Sequence, residues 1–204
     1  MRWMMTALRQ WLLLAMTMLI GVAAPAAAQF SDSYNFLKAV RDKDGAKAKE
    51  IMEKPGSGTI VNNRDNDTGE TGLHIATRRA DSAWVGFLLQ AGANADARDR
   101  EGNTPLMLAT QVRWSDGVQI YVSVKAQLNL QNRLGETALQ KAVQIRDSSI
   151  VKTLLDAGAN PDISDNSGTS ARALAAGDPR AALVARLFKD VPVKSTRPAQ
   201  GPSL

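Results

Sequence analysis

The chain offers few groups that could do covalent chemistry. His74 is its only histidine and it has no cysteine. That excludes disulfides, zinc–thiolate sites and cysteine nucleophiles together. A lone imidazole, with no carboxylate or nucleophile fixed beside it by any motif, is a poor general base. The sequence has no phosphate-cradling glycine loop, no G-x-S-x-G, no carboxylate pair lodged in an apolar run and no metal-spaced histidine set. The run Asp162-Ile-Ser-Asp-Asn-Ser-Gly168 opens like a calcium loop. Its sixth position is Ser167 rather than glycine, and its twelfth is Ala173 rather than glutamate. Asp96, Asp99, Asp162 and Asp165 read more simply as turn residues that bond their own backbone. Asn66-Asp67-Thr68 matches a glycosylation acceptor at the rate chance supplies. These residues point away from an enzyme and from any cofactor or metal.

The elements that carry these residues repeat. Gly69, Gly102, Gly135 and Gly168 stand 33 residues apart, in the phrases GETGLHIAT, GNTPLMLAT, GETALQKAV and GTSARALAA. A second phrase returns at twice that distance, LLQAGANADARD at 88–99 and LLDAGANPDISD at 154–165. A fixed period with one internal layout means a stack of like units rather than one wrapped core. Each glycine suits a tight turn at positive φ. Thr71, Thr104, Thr137 or Ser170 follows two residues later and can cap a helix, with Pro105 at a first helical position. Leu73 and Ala76, Leu106 and Ala109, Leu139 and Ala142 then fall at helical spacing. A second helix ends at Leu88-Leu89 or Leu154-Leu155, with Gly92 and Gly158 as left-handed caps.

That unit resembles the ankyrin repeat. The family pattern G-x-T-P-L-H-x-A…LL-x-x-GA is matched by GETGLHIA…LLQAGA at 69–93 and GNTPLMLA at 102–109, and the resemblance covers about 155 of the 204 residues. It implies an all-α solenoid of about five stacked helix-turn-helix units with short finger turns. The units fall at about 33–65, 66–98, 99–131, 132–164 and a worn 165–188, within a domain at 29–188. It also implies a structural role for His74, whose ring nitrogens should bridge a turn to the neighbouring unit.

The same resemblance implies a protein partner on a concave face made by fingertips and inner helices. The exposed fingertip positions are then Arg64, Asp67 and Glu70; Arg98, Arg100, Glu101 and Asn103; and Gln131, Arg133 and Glu136. The ends of the inner helices add Arg78, Arg79, Gln111, Arg113 and Gln144. These side chains are expected to be free of packing duties, and their many arginines suit a partner that presents carboxylates.

Three stretches depart from the pattern. Lys54-Pro-Gly-Ser-Gly-Thr59 is a cluster of helix breakers and reads as a lengthened surface loop. Lys125 stands where the neighbouring units place Gly92 and Gly158, so the second helix of its unit must end differently or bear strain. Trp114 occupies an inter-helix turn. It either anchors a partner or folds over its own helix pair as local core, and the sequence leaves both open.

The first 28 residues have the layout of a secretory signal peptide. Arg2 and Arg9 precede the mostly apolar run from Trp11 to Val22, and Ala26-Ala27-Ala28 offers a cut after Ala28. The run is shorter than the roughly 20 residues a spanning helix needs, which favours cleavage over anchoring. Arg2 and Arg9 are the leader's only charges, which leaves the rest at +3 from a whole-chain +5. The body lacks the basic stripe with aromatic platforms of a nucleic-acid binder. The tail 189–204 is proline-rich and is expected to be disordered. The sequence thus describes a monomeric, non-catalytic periplasmic adaptor, similar to exported bacterial ankyrin proteins, some of them tied to oxidative-stress protection. The alternative is a secreted effector that binds a host protein.

Overall fold

The computed structural model describes residues 24–192. The expected leader therefore lies outside the described residues up to position 23, and the tail lies outside them from position 193. Helix α1 spans Ala24–Asp42 and so includes the expected cleavage point. It is followed by α2 (Gly45–Met52) and a single 3-10 turn, Ile60–Asn62. Three helix pairs come next: α3 (Gly72–Arg78) with α4 (Ser82–Gln90), α5 (Pro105–Gln111) with α6 (Ser115–Ser123), and α7 (Ala138–Gln144) with α8 (Ser148–Asp156). The last pair is α9 (Ala171–Gly177) and α10 (Ala182–Leu187), joined by the 3-10 turn Pro179–Ala181.

Local chemistry sets these boundaries. Thr104, Thr137 and Ser170 accept the backbone N–H three residues on, at 3.4, 3.2 and 3.2 Å, and start the inner helices. Asp44, Asp81 and Asp147 do the same for the outer helices at 2.9, 3.2 and 3.1 Å. Gly92 and Gly158 end α4 and α8 at φ 86° and 90°, and Lys125 ends α6 at φ 59°. The lysine thus adopts the glycine conformation and bears its cost, about 1–2 kcal/mol for a residue with a Cβ.

The inner helices α1, α3, α5, α7 and α9 pack each against the next, and α6, α8 and α10 line up behind them. Side chains one period apart stack into rows. Leu73, Leu106 and Leu139 form one; Ala76, Ala109, Ala142 and Ala175 another; Val85, Val118, Val151 and Val184 a third; all are buried in a single continuous core. Each row is closed only by the neighbouring unit, as stacked repeats require. The leucine row stops at the last unit, where Arg172 takes the place. Its guanidinium bonds Asp162 at 2.7 and 3.2 Å and the Phe188 carbonyl at 2.8 Å, and lies 5.9 Å from the Phe188 ring centroid.

The first finger differs from the others in length. Fingers two to four close with Asp99 N–H to Asn103 O, Asn132 N–H to Glu136 O and Asp165 N–H to Thr169 O, whereas the first closes from Asp65 to Glu70. One residue is therefore added between Asp65 and Gly69, so Arg64 corresponds to Arg98 rather than to Ala97. Even spacing of the glycines hid this insertion.

Candidate interaction surface

The fingers are bound to one another before they can bind anything else. The N–H groups of Arg100, Arg133 and Asn166 donate to the carbonyls of Thr68, Glu101 and Leu134 in the preceding finger, at 2.9, 2.9 and 3.0 Å. Side chains run a second ladder in the other direction. The Arg64 guanidinium reaches the Arg98 carbonyl, Arg98 reaches the Gln131 carbonyl at 2.6 Å, and the Gln131 amide reaches the Ser164 carbonyl at 2.9 Å. Arg100 turns back to the Asn66 carbonyl at 2.7 Å. A third ladder lies deeper, where Asn62, Asp96 and Asn129 accept the N–H groups of Asn94, Gln127 and Asn160 at 2.7, 2.8 and 2.8 Å.

These contacts correct the expectation that the fingertip and helix-end side chains are free. Arg64, Arg98, Arg100 and Gln131 are engaged on backbone carbonyls. Asn103 is 9% exposed; it bonds Asp99 at 3.3 Å and accepts from Asn132 at 3.1 Å. Arg79 lies across the C-terminal end of α1, donating to the Val40 and Arg41 carbonyls at 2.8 and 2.9 Å. Glu70 is paired with Arg78. Glu136 accepts from Asn132, Lys141 and Gln144 at 3.0, 2.8 and 2.8 Å. Burial alone would raise its carboxyl, but the bonds from Gln144, Lys141 and Asn132 hold it below the usual range. Arg64, Arg98, Arg100 and Gln131 find their acceptors in a neighbouring finger, which the pattern within one unit could not show.

Arg113 and Trp114 sit at the inter-helix turn, at the far end of the helix pair from the fingers. There a cation at the left-handed turn residue of one unit meets the Asp that caps the outer helix of the next, or in the last unit the 3-10 turn before it. Lys43 pairs with Asp81 at 2.9 Å, Arg113 with Asp147 at 3.8 Å, and Arg146 with Asp178 at 2.6 Å. Arg113 also donates to the Ile145 carbonyl at 2.7 Å. The missing rung is Ala80 opposite Trp114. Trp114 gives α6 no side-chain cap, and its ring packs over Gly117 against the core. Of the two readings left open, local packing is what the geometry shows.

His74 bridges as the resemblance implied. Its Nδ1 accepts the Thr71 N–H at 3.2 Å, so Nε2 carries the proton and donates to the Asn103 carbonyl at 3.1 Å. Burial pushes its pKa down. One repeat pair further on, Gln140 makes the same bridge, accepting from Thr137 N–H at 2.8 Å and donating to the Thr169 carbonyl at 2.7 Å. An amide does the job of the imidazole. The calcium-like run is likewise committed to packing, with Asp162 on Arg172 and Asp165 accepting the N–H groups of its own turn.

Two stretches match models of one family: residues 36–120 match Ankyrin repeats (3 copies), and residues 134–166 match Ankyrin repeat. Together they cover more than half of the 204 residues. The chain belongs to the ankyrin-repeat family. Ankyrin stacks are protein–protein interaction modules and are typically non-catalytic scaffolds. Among the expected fingertip and helix-end residues of this ankyrin stack, the side chains that keep no partner among the described residues are few. Asp67, Glu101 and Arg133 are exposed at successive fingertips, Gln111 is exposed on an inner helix, and Leu134 is 64% exposed beside Arg133. No described helix is long and apolar enough to cross a membrane.

Proposed function

We propose that this protein is a non-catalytic adaptor that holds another protein against the finger side of its ankyrin stack, with Arg133 and Leu134 at the centre of the contact. The observation that carries the reading is the contrast within one set of residues. Arg64, Arg98, Arg100 and Gln131 are engaged on neighbouring fingers, while Arg133 and the exposed Leu134 beside it hold nothing. Arginine is among the residues that dominate contact energies, and the exposed Leu134 adds apolar area beside it. Glu101 supplies polar rim on the same side. Arg133 suits a carboxylate on the partner, since its planar fork can bind one bidentately.

The leader pattern at 1–28 supports export, and the periplasm is the compartment proposed, with a role in stress protection as its analogue among similar exported proteins. Release to the medium would instead favour the effector reading. The test has two parts. Fractionation with mass measurement of the mature chain reads the compartment and the cut after Ala28. Crosslinking in periplasmic extract reads the partner, and the double variant Arg133→Glu/Leu134→Asp should lose that partner while keeping its melting temperature. Capture undiminished in the double variant would overturn the proposed surface.

A further inference from the structure

Two departures from the 33-residue period meet in one place. The breaker loop 54–59 and the residue added to the first finger both wall a groove of about 770 Å³, whose third side is the face of α1 that carries Asp32, Tyr34 and Leu37. Stacking requires neither departure, because fingers two to four close with one residue fewer. The volume falls in the range of binding sites for small groups. The floor is apolar, with Leu37 and Ile60 only 2% and 5% exposed, and Tyr34 stands 64% exposed at the rim. Asp32 pairs with Lys54 at 2.8 Å and Asp65 with Arg41 at 2.5 Å, which leaves Asp67 as the lining carboxylate with no ion pair among the described residues.

The stack itself indicates what fits there. The carbonyls at 98, 131 and 164 each accept a side-chain donor from the finger before, in two cases an arginine. Arg64 holds the equivalent place in the first finger, and its carbonyl receives no donor among the described residues. By equivalence with those three carbonyls it belongs to the side on which a preceding finger would stand, and Arg64 lines the groove there. In the stack the residue before the donor is Asn63, Ala97 or Leu130, apolar in the two inner fingers.

We propose that this groove docks an extended segment of a partner protein carrying an arginine directly after an apolar residue. The guanidinium completes the finger ladder at the Arg64 carbonyl and pairs with Asp67, while the apolar side chain packs against the exposed ring of Tyr34. A second copy of this chain is a poorer occupant, because its last finger offers Ser164 at the donor position, and a serine hydroxyl is too short to span fingers. The proposal rests on the reading of the chain as a partner-binding stack, but on a surface separate from Arg133 and Leu134.

The test uses the purified, nitrogen-15-labelled protein and a nine-residue peptide that copies residues 94–102 with Ala97→Leu. Amide shifts should move at Tyr34, Thr59 and Asp67 and saturate. Arg98→Glu in the peptide should weaken binding at least tenfold, and Asp67→Asn in the protein at least threefold, while Arg133→Glu in the protein leaves it unchanged. Loss of partner capture in the Arg133→Glu/Leu134→Asp variant with peptide binding intact separates this site from the fingertip surface. Absent shifts, shifts centred on Arg133 and Leu134, or equal binding of the glutamate peptide would each overturn the proposal. So would a dimer in sedimentation that the peptide fails to dissociate, since a second copy would then fill the groove.

Discussion

The Trp114 ring fills the space that a side chain at residue 117 would need: a Cβ on Gly117 would lie 2.0 Å from Trp114 Cε3. One period on, Ile150 fills the slot equivalent to 117 and Asp147 caps the helix. The unit at 99–131 has therefore exchanged a cap and a core residue for one ring that reaches back a turn. Gly117→Ile alone should destabilise by roughly 1–3 kcal/mol, as overpacking does. Trp114→Asp/Gly117→Ile should recover most of that loss, with a coupling of about 0.5–3 kcal/mol in a denaturation cycle. Additive effects would show that the two positions are independent.

His74 and Gln140 make the same bridge, so His74→Gln should cost less than about 1 kcal/mol, while His74→Ala should cost about 1–3 kcal/mol by leaving buried N–H and C=O groups unpaired. The imidazole adds a pH dependence the amide lacks. Its folded pKa is depressed by burial, so stability is fully present above the unfolded value of about 6.5 and is lost as pH falls from there through the folded pKa. The slope is at most about 1.4 kcal/mol per pH unit. Urea titrations between pH 5 and 8 should show this slope in the parent and a flatter line in His74→Gln; parallel lines would refute the assignment.

Gly135 and Gly168 share a positive φ, 79° and 83°, but differ in surroundings. A Cβ at Gly135 would meet Asn166 N at 2.7 Å and Asp165 Cα at 2.9 Å, whereas at Gly168, the end of the finger row, it meets nothing within 4 Å. Gly168→Ala should therefore cost about 1–2 kcal/mol from the backbone alone. Gly135→Ala should cost at least about 1 kcal/mol more, since the neighbouring finger must shift as well. Equal melting temperatures for the two variants would contradict the finger stacking.

Arg98 and Arg133 separate structural from available arginines. Arg98→Glu should lower stability by about 1 kcal/mol through loss of its bond to the Gln131 carbonyl. Arg133→Glu should stay within about 0.5 kcal/mol of the parent, as exposed unpartnered sites do. The reverse order in thermal melts would exchange their roles.

The repeat was legible because glycine turns, hydroxyl caps and leucine spacing are local signals, each readable within one unit. Helix pairs and their stacking followed from them, and the family resemblance they carry implied the bridge at His74. What stayed hidden was anything settled between units. Arg98 looks like a surface residue in its own unit and finds its acceptor in the next, and Asn103 adds Asn132 of the next unit to Asp99 of its own turn. Lys125, standing in the place of Gly92 and Gly158, announced a helix end that must differ or bear strain, but only the structure shows that it is the strained alternative. Trp114 could not be placed without seeing Gly117 beneath it. The extra fingertip residue was masked because the glycines that follow it kept their spacing.

Arg172 closes the leucine row, and that governs how this protein can grow. A duplicated 33-residue module spliced in ahead of Asp165 would find Leu139 on one side and the Arg172 unit on the other, as the present units do. One appended after Phe188 would have to lay leucine against a guanidinium already fastened to Asp162 and to the departing backbone. Lengthening of the gene by unequal crossing-over is therefore tolerated in the interior and refused at the carboxyl terminus.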